Sequence, residues 1–276
     1  MRFFVVTPVR NGAGKIGRTI RSVVSQTSVV SGRDELRYLI VDGASTDATV
    51  DEARRAGEGM VEIRSAPDAG LYDALAPALA LADGEVTFYL GAGDVLDPAA
   101  LQVVGTIFAE HPEVRWLTGR ATTRNSRHEI VDSVLPRPFH RHLIECGKYG
   151  TTLPVIQQES TFWRTELHSS VDFSKLATTK LAGDYLLWKS FAQVTELFVV
   201  NAVLGSFTQE AGQLSGVKGA YRAELKQLRR PPSLAENLAA FALRQITKRR
   251  TPRRTAKRLF TYDFSREQWT MRGGKS

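Results

Sequence analysis

Cysteine is nearly absent from this chain. Cys146 is the single one among 276 residues, which excludes an internal disulfide and any zinc site built from several thiolates. A buried, inert thiol in a reducing cytoplasm is the expectation. Long apolar runs are missing too: none approaches the roughly 18 residues of a membrane-spanning helix. The chain enters a strand within three residues of its start, so no secretory leader is expected. The five histidines form no ligand pattern. His140 and His142 lie two apart in an expected loop. His111, His128 and His168 are scattered, and surface positions are expected for them. No Ser-His-Asp arrangement follows from the spacing, and no internal repeat is visible.

What is present is an ordinary globular composition, 42% apolar, with a charge that is unevenly placed. Residues 218–276 hold 16 Lys and Arg against 4 Asp and Glu, whereas the other 217 residues hold 21 bases and 25 acids. A mildly acidic body with a strongly basic end points to an anionic partner surface. Leu234–Ile246 reads as an amphipathic helix leading into the dense bases of Lys248–Arg258. Leu259, Phe260, Tyr262 and Phe264 follow. This pattern fits attachment to an anionic lipid surface. A helix packed on the body with a solvated basic face fits it equally well. No RNA- or DNA-binding motif supports a nucleic-acid partner.

The front of the chain alternates strands and helices. Phe3–Val6 is an apolar run, Ile16, Ile20, Val23 and Val24 fall at helical spacing, and Leu39–Val41 leads into Asp42. Two apolar strands around a crossover helix make a parallel βαβ unit. A short strand at Val61–Ile63, a turn at Ala66–Gly70 and a helix from Ala74 to Leu81 follow, with Asp73 as its cap. Pro77 is awkward there outside the first turn. Val86–Leu90 is a buried strand, Ala99–Ala109 a helix behind Asp97-Pro98, and Val114–Thr118 a strand. Residues 120–155 read as loops and short pieces. Gln158–Arg164 is a strand or turn, Gly183–Ala192 a helix and Phe198–Leu204 a strand.

Ligands in open α/β sheets bind beyond the carboxyl ends of the strands. Two nucleotide readings compete there. Gly12-Ala13-Gly14-Lys15-Ile16-Gly17 fits the dinucleotide fingerprint G-x-G-x-x-G, with Asp42 on the next strand. That fingerprint turns almost directly off its strand, however, and here Thr7–Asn11 intervene. The second reading takes four segments in order: TPVRN, VDGASTD, PDAGLYDA and LGAGD. Each puts small or acidic residues at a strand's end. Gly91, Ala92 and Gly93 allow close backbone approach to a ligand, and the carboxylate of Asp94 suits a divalent ion bridging phosphate oxygens. Asp94 as the cap of the next helix is the plainer alternative, for which Asp97 is better placed.

With IQQESTFWR, AGDYLLW and GQLS further along, the chain resembles the inverting family 2 glycosyltransferases, over roughly residues 1–225 and most nearly the bacterial polysaccharide and O-antigen enzymes. The resemblance implies an α/β fold of the GT-A type. That is a three-layer α/β/α domain on a Rossmann-like, mostly parallel sheet, here residues 1–228, followed by a basic amphipathic helical tail, 229–276. It implies a nucleotide-sugar donor, a Mn2+ or Mg2+ ion, and direct transfer to a lipid-linked or saccharide acceptor at the inner membrane face. Matched motif by motif, Thr7, Pro8, Arg10, Asp42, Asp68 and Gly93 would bind the nucleotide. Asp94 and Glu210 would hold the metal. Asp184 would be the acceptor-side base, with Glu159 second. Gln158, Thr161 and Trp163 would line the sugar and acceptor side. Trp188 is open between sugar stacking and core. Three departures stand out: Ala92 replaces the first acid of Asp-x-Asp, Ala76-Pro77-Ala78 replaces a frequent Asn/Gly stretch, and Phe207-Thr208-Gln209-Glu210 lacks a frequent histidine. A nicotinamide oxidoreductase and a non-catalytic basic membrane adaptor are the alternatives.

Overall fold

A computed structural model describes residues 1–209, 218–247 and 257–271. The first half is built as β1 (Arg2–Val9), α1 (Ile16–Val24), α2 (Thr27–Val30), β2 (Glu35–Asp42), α3 (Thr49–Gly57), β3 (Val61–Ser65), α4 (Leu71–Leu79), β4 (Val86–Tyr89), β5 (Val95–Leu96), α5 (Ala100–Glu110), β6 (Trp116–Thr118), β7 (Ala121–Arg124) and β8 (Ile130–Val134). Then come α6 (Arg141–Glu145), a 3-10 turn (Gln158–Ser160), β9 (Thr161–Arg164), a second 3-10 turn (Thr165–Ser170), α7 (Phe173–Thr178), α8 (Gly183–Val194), β10 (Phe198–Val200), β11 (Gly205–Thr208), α9 (Lys218–Leu228), α10 (Leu234–Thr247), β12 (Leu259–Asp263) and β13 (Gln268–Met271).

Nine strands form the main sheet in the order β13-β12-β10-β6-β9-β4-β1-β2-β3. All neighbours are parallel except at β9, antiparallel to β4 and β6, and at the β12–β13 hairpin. β1 is buried without interruption from Phe3 to Val9, as a strand covered on both faces must be. On α1 the stripe Ile16, Ile20 and Val23 faces the core. Trp116, Trp163, Trp188 and Phe191 pack ring against ring in the core, with centroids 5.5–5.9 Å apart. Cys146 is buried, as expected, and burial raises its thiol. A smaller sheet, β5-β11-β7-β8, includes a hairpin in the stretch read as loops.

Several boundaries move. β1 runs on through Thr7-Pro8-Val9, paired with Ile40-Val41-Asp42. Pro8 survives in a central strand although it has no N–H to give. α4 starts at Leu71 with Gly70 as its cap residue, and Pro77 lies inside it. Pro77 is on the exposed side, where solvent can meet the carbonyl that the ring leaves without a helical donor. Asp73 sits in the first turn and accepts from the Ala69 N–H at 2.8 Å. The strand expected to run from Phe198 to Leu204 ends at Val200, and β11 follows in the other sheet.

The tail is only partly helical. α10 buries Ala240 against Leu143, Cys146 and Leu153, with Leu243 packed alongside. Beyond it, Leu259 and Phe260 pair in parallel with Val199 and Val200 and are buried. These two residues, read with the lipid-facing set, instead complete the sheet, because β10 offers an unpaired edge and an apolar neighbour in Phe198. No helix among the described residues is long and apolar enough to cross a membrane.

Candidate active site

β3, β2, β1 and β4 are adjacent and parallel, so their carboxyl ends share one edge. β9 runs the other way, which brings its start and the preceding Gln158–Ser160 turn to that edge as well. The Gln158 side-chain amide donates to the carbonyl of Tyr89, the last residue of β4. All four loops singled out in the sequence leave this edge.

The first two loops are stitched together. Gly43 N–H donates to the Val9 carbonyl at 2.8 Å, and Asn11 exchanges bonds with Ser45 and Thr46. Asp42 ends β2 with its side chain buried. One carboxylate oxygen, Oδ2, accepts from Ser65 Oγ at 2.6 Å and from Ser45 N–H at 3.1 Å. The other, Oδ1, is buried with no partner among the described residues. An orphaned buried acceptor is costly unless a ligand donor meets it. Asp68 reaches over from the third loop, held by the Gly70 N–H at 3.0 Å. Arg10 is exposed at the same edge.

The glycine-rich turn is already saturated. Gly12 N–H donates to Thr49 Oγ1, Ala13 N–H to Asp47, and Gly14 and Gly17 N–H to the Glu52 carboxylate, at 2.6–3.1 Å. These are the amides a pyrophosphate would need. One is taken by Thr49 and the other three by two acids, Asp47 and Glu52, which would also repel it. Although β1 comes within two residues of Gly12, this bonding does not favour the dinucleotide reading.

The fourth loop is tight. Gly93 adopts φ +109°, its N–H donates to Thr19 Oγ1 and its carbonyl accepts from Thr208 Oγ1. Asp94 is buried, and its Oδ1 accepts from Thr208 N–H at 2.9 Å. The helix that follows takes its turn bond from Asp97, whose carboxylate accepts from Ala99 N–H. No three His, Cys, Asp or Glu side chains cluster as a metal site among the described residues, and Glu210 lies outside them, as does the GQLS segment. A single carboxylate fits a hard cation only when the ion is held mainly by a ligand's phosphate oxygens and water, the usual habit of Mg2+.

Asp184 lies in the first turn of α8. Its N–H donates to the Tyr72 hydroxyl at 3.0 Å, and its Oδ1 accepts from Tyr185 N–H at 2.7 Å. The Tyr221 hydroxyl donates to both carboxylate oxygens at 3.2 Å. Gly183 is required by this packing, since a Cβ there would stand 2.4 Å from the Tyr72 ring. Asp184 borders a recess lined also by Tyr149, Val155, Ile156, Trp188 and Tyr221. Glu159 is near enough for the two charges to repel. Both carboxylates keep some solvent contact but are recessed among protein atoms. Burial raises the Asp184 carboxyl from 3.8 to about 6. Burial first, and the Asp184 charge next, raise Glu159.

Three expected site residues belong to the interior instead. Trp163 is fully buried and donates its ring N–H to His168, so it cannot reach a sugar. Thr161 is buried, with its hydroxyl on Thr118 and on the Gln157 carbonyl. The Thr7 hydroxyl is sealed against Tyr38 at 2.8 Å. All three occupy strand positions whose side chains face a helical layer. Trp188 packs on Trp116, which answers the question of its role in favour of the core. His168, rather than standing free at the surface, is tucked against Trp163, and burial lowers its imidazole to about 4. Tyr72, Tyr221 and Glu224 are the residues missed. Tyr72 stands within PDAGLYDA, and Tyr221, Leu225 and Leu228 fall at helical spacing, a signal that could have found α9.

A mostly parallel sheet with an acidic, loop-built cleft along one carboxyl edge is the architecture of a nucleotide-binding α/β enzyme domain. Residues 4–155, more than half of the chain, match Glycosyl transferase family 2, and the chain belongs to that family. A curated relative, the PGL/p-HBAD biosynthesis glycosyltransferase of Mycobacterium bovis (strain BCG / Pasteur 1173P2), is 32% identical over 114 residues, 40% of this chain. That match spans only 42% of the relative's own length. The crystal structure of S. aureus TarS in complex with UDP-GlcNAc superposes with a TM-score of 0.64 at 19% identity, over 90% of this chain and 73% of that one. Glucosyl-3-phosphoglycerate synthase from Mycobacterium tuberculosis, in complex with Mn2+, UDP and phosphoglyceric acid, gives 0.54 at 18% identity, over 84% and 80%. The fold is the GT-A fold these structures share.

Proposed function

We propose that this chain moves a sugar from a nucleoside diphosphate donor to an acceptor hydroxyl, with inversion, in bacterial cell-surface polysaccharide synthesis. The observation that carries the reading is Asp42. Its unpartnered Oδ1 is a fixed acceptor at the edge where a pyrimidine N–H would arrive, with Asp68 beside it. Pro8 and Arg10 would complete the nucleoside pocket. Gly93 would face the diphosphate, with Lys15 alongside, its stem passing close to Gly93. TarS with UDP-GlcNAc and the synthase with UDP support a uridine donor.

Asp184 would take the proton of the acceptor hydroxyl. The freed oxygen bonds to the anomeric carbon from one face while the bond to the diphosphate oxygen breaks on the other and its electron pair leaves with the diphosphate. Glu159, protonated in part, and Gln158 would contact the sugar or acceptor. Asp94 would hold a Mn2+ or Mg2+ ion through its Oδ2, with Glu210 as a second ligand. Such an ion, when bound, stabilises the charge on the departing diphosphate.

The acceptor would be lipid-linked or a saccharide at an anionic membrane surface on the cytoplasmic side. Leu234, Leu238 and Phe241 fall on one side of α10 and are 75%, 62% and 59% exposed, and Phe264 at the hairpin tip is 87% exposed. These support attachment together with the basic sequence that follows α10. Sedimentation with vesicles containing anionic phosphatidylglycerol tests it, with Phe241→Glu expected to release the protein.

A thermal-shift panel of UDP, GDP, CDP and NADH, with and without Mn2+, tests the donor. Stabilisation by one nucleoside diphosphate, enhanced by Mn2+, is expected. Stabilisation by NADH alone would refute the reading.

A further inference from the structure

We infer that α9 is a clamp on the base, with Tyr221 as the positioning residue that fixes the Asp184 carboxylate. This rests on the proposed role of Asp184. Two side chains of α9, almost one turn apart, grip the start of α8. Tyr221 donates to both oxygens of Asp184. Glu224 accepts from the N–H groups of Lys180, Leu181 and Ala182 at 2.6–2.7 Å. Those amides precede the first turn of α8 and need an acceptor. Leu225 anchors the same helix against Ala182 and Tyr185.

The arrangement answers a specific difficulty. A base must be ionised before it can accept a proton, yet Asp184 is recessed from water and stands near acids whose charge opposes its own. Glu159 and Glu224 are acids, and Tyr72, Tyr89 and Tyr149 are neutral phenols. Of these, Tyr72 offers Asp184 only an acceptor, to its N–H. Tyr221 is the side chain seen to donate to the carboxylate. Burial holds its phenol far above the ordinary range, so it remains protonated and can only give its hydrogen. A single hydroxyl shared between both oxygens favours the ionised form and also sets the plane of the carboxylate.

Carboxyl 13C NMR of the full chain reads this without any substrate, with the Asp184 signal assigned by its disappearance in Asp184→Asn. Tyr221→Phe is expected to raise the Asp184 titration midpoint by about one pH unit. Release of UDP from UDP-GlcNAc or UDP-glucose, whichever the parent protein turns over faster, is then expected to fall about fivefold at pH 6 and to recover largely by pH 8. Donor KM is expected to stay unchanged. Thermal unfolding checks that the variant folds. A merely structural loss would lower turnover equally at both pH values. An unmoved midpoint overturns the clamp while leaving Asp184 as base. Full turnover in Asp184→Asn overturns the base assignment itself, and the clamp's purpose with it.

Discussion

The carboxylate of Asp68 occupies the space in which a side chain on Gly43 would begin: a Cβ built there stands 2.2 Å from Asp68 Oδ2. The second and third loops can therefore meet beside Asp42 only because residue 43 is glycine. The clash involves the tip of a side chain rather than backbone, so Gly43→Ala is expected to push Asp68 aside at a cost below about 1 kcal/mol. Nucleotide affinity should fall by tenfold or more with little change in melting temperature. Calorimetry with UDP and Mn2+, beside a thermal scan, separates the two effects.

Asp184 makes the folded state sensitive to pH in the direction opposite to an ion-paired acid. Its folded pKa, about 6, lies above its ordinary 3.8. Between these values the folded chain keeps a proton that the unfolded chain has released, so stability falls as pH rises through the window. The full penalty is present above pH 6 and is at most about 3 kcal/mol, reduced by the solvent contact that the group retains. Asp184→Asn is expected to gain stability at pH 7.5 and to lose that advantage by pH 4, while transfer falls by about 100-fold or more. Urea unfolding at the two pH values and a donor-turnover assay check both halves.

The sheet was largely legible and the cleft was half legible, for the same physical reason. β1, β2 and β4 carry apolar runs, β3 the alternating Val61 and Ile63, and one crossover separates each from the next, so their order and direction follow from local pattern and chain chirality. Loops leaving parallel neighbours must then share an edge, so the loops that carry Asp42, Asp68 and Asp94 leave the same edge by topology alone. What depends on distant partners was not legible. Leu259 and Phe260 look like a lipid-facing pair until β10, some 60 residues earlier, presents its edge. Trp163 and Thr161 sit in the IQQESTFWR motif, but β9 is covered on both faces, so they are buried as fully as Phe162 between them. Tyr221 has no motif around it, and its contact with Asp184 exists only because α9 folds back over α8.

Gly205 is a second position where a close approach demands glycine, with the opposite balance of effects. A Cβ there would stand 1.8 Å from the Glu159 carbonyl oxygen. Backbone cannot swing away as the Asp68 carboxylate can. Gly205→Ala should therefore displace the Gln158–Ser160 turn, break the bonds of Ser160 Oγ to Gly205, and destabilise the fold by about 2–3 kcal/mol or more. A drop in the urea midpoint with unchanged m-value is the expected signature. Unchanged stability would mean that the β5–β11 strands slide freely over this turn.

Asp94 has a partner inside the protein in Thr208 and, in the proposed function, a second in the cation, and the variants can tell the two roles apart. Its Oδ1 accepts from Thr208 N–H inside the protein, whereas Oδ2 lies over Gly91, 2.9 Å from where a Cβ would stand. Asp94→Ala removes both oxygens, so Thr208 N–H loses this acceptor and stability should fall by about 1–3 kcal/mol. Asp94→Asn keeps a carbonyl oxygen for Thr208 and removes the negative charge, so its stability should stay within about 1 kcal/mol of the parent. Both variants should lose the additional stabilisation that Mn2+ gives with UDP, because a neutral amide is a weak ligand for a hard cation. If Asp94→Asn responded to Mn2+ as strongly as the parent, the carboxylate would be a structural link between the fourth loop and β11, and the cation would have to be held by the diphosphate without it.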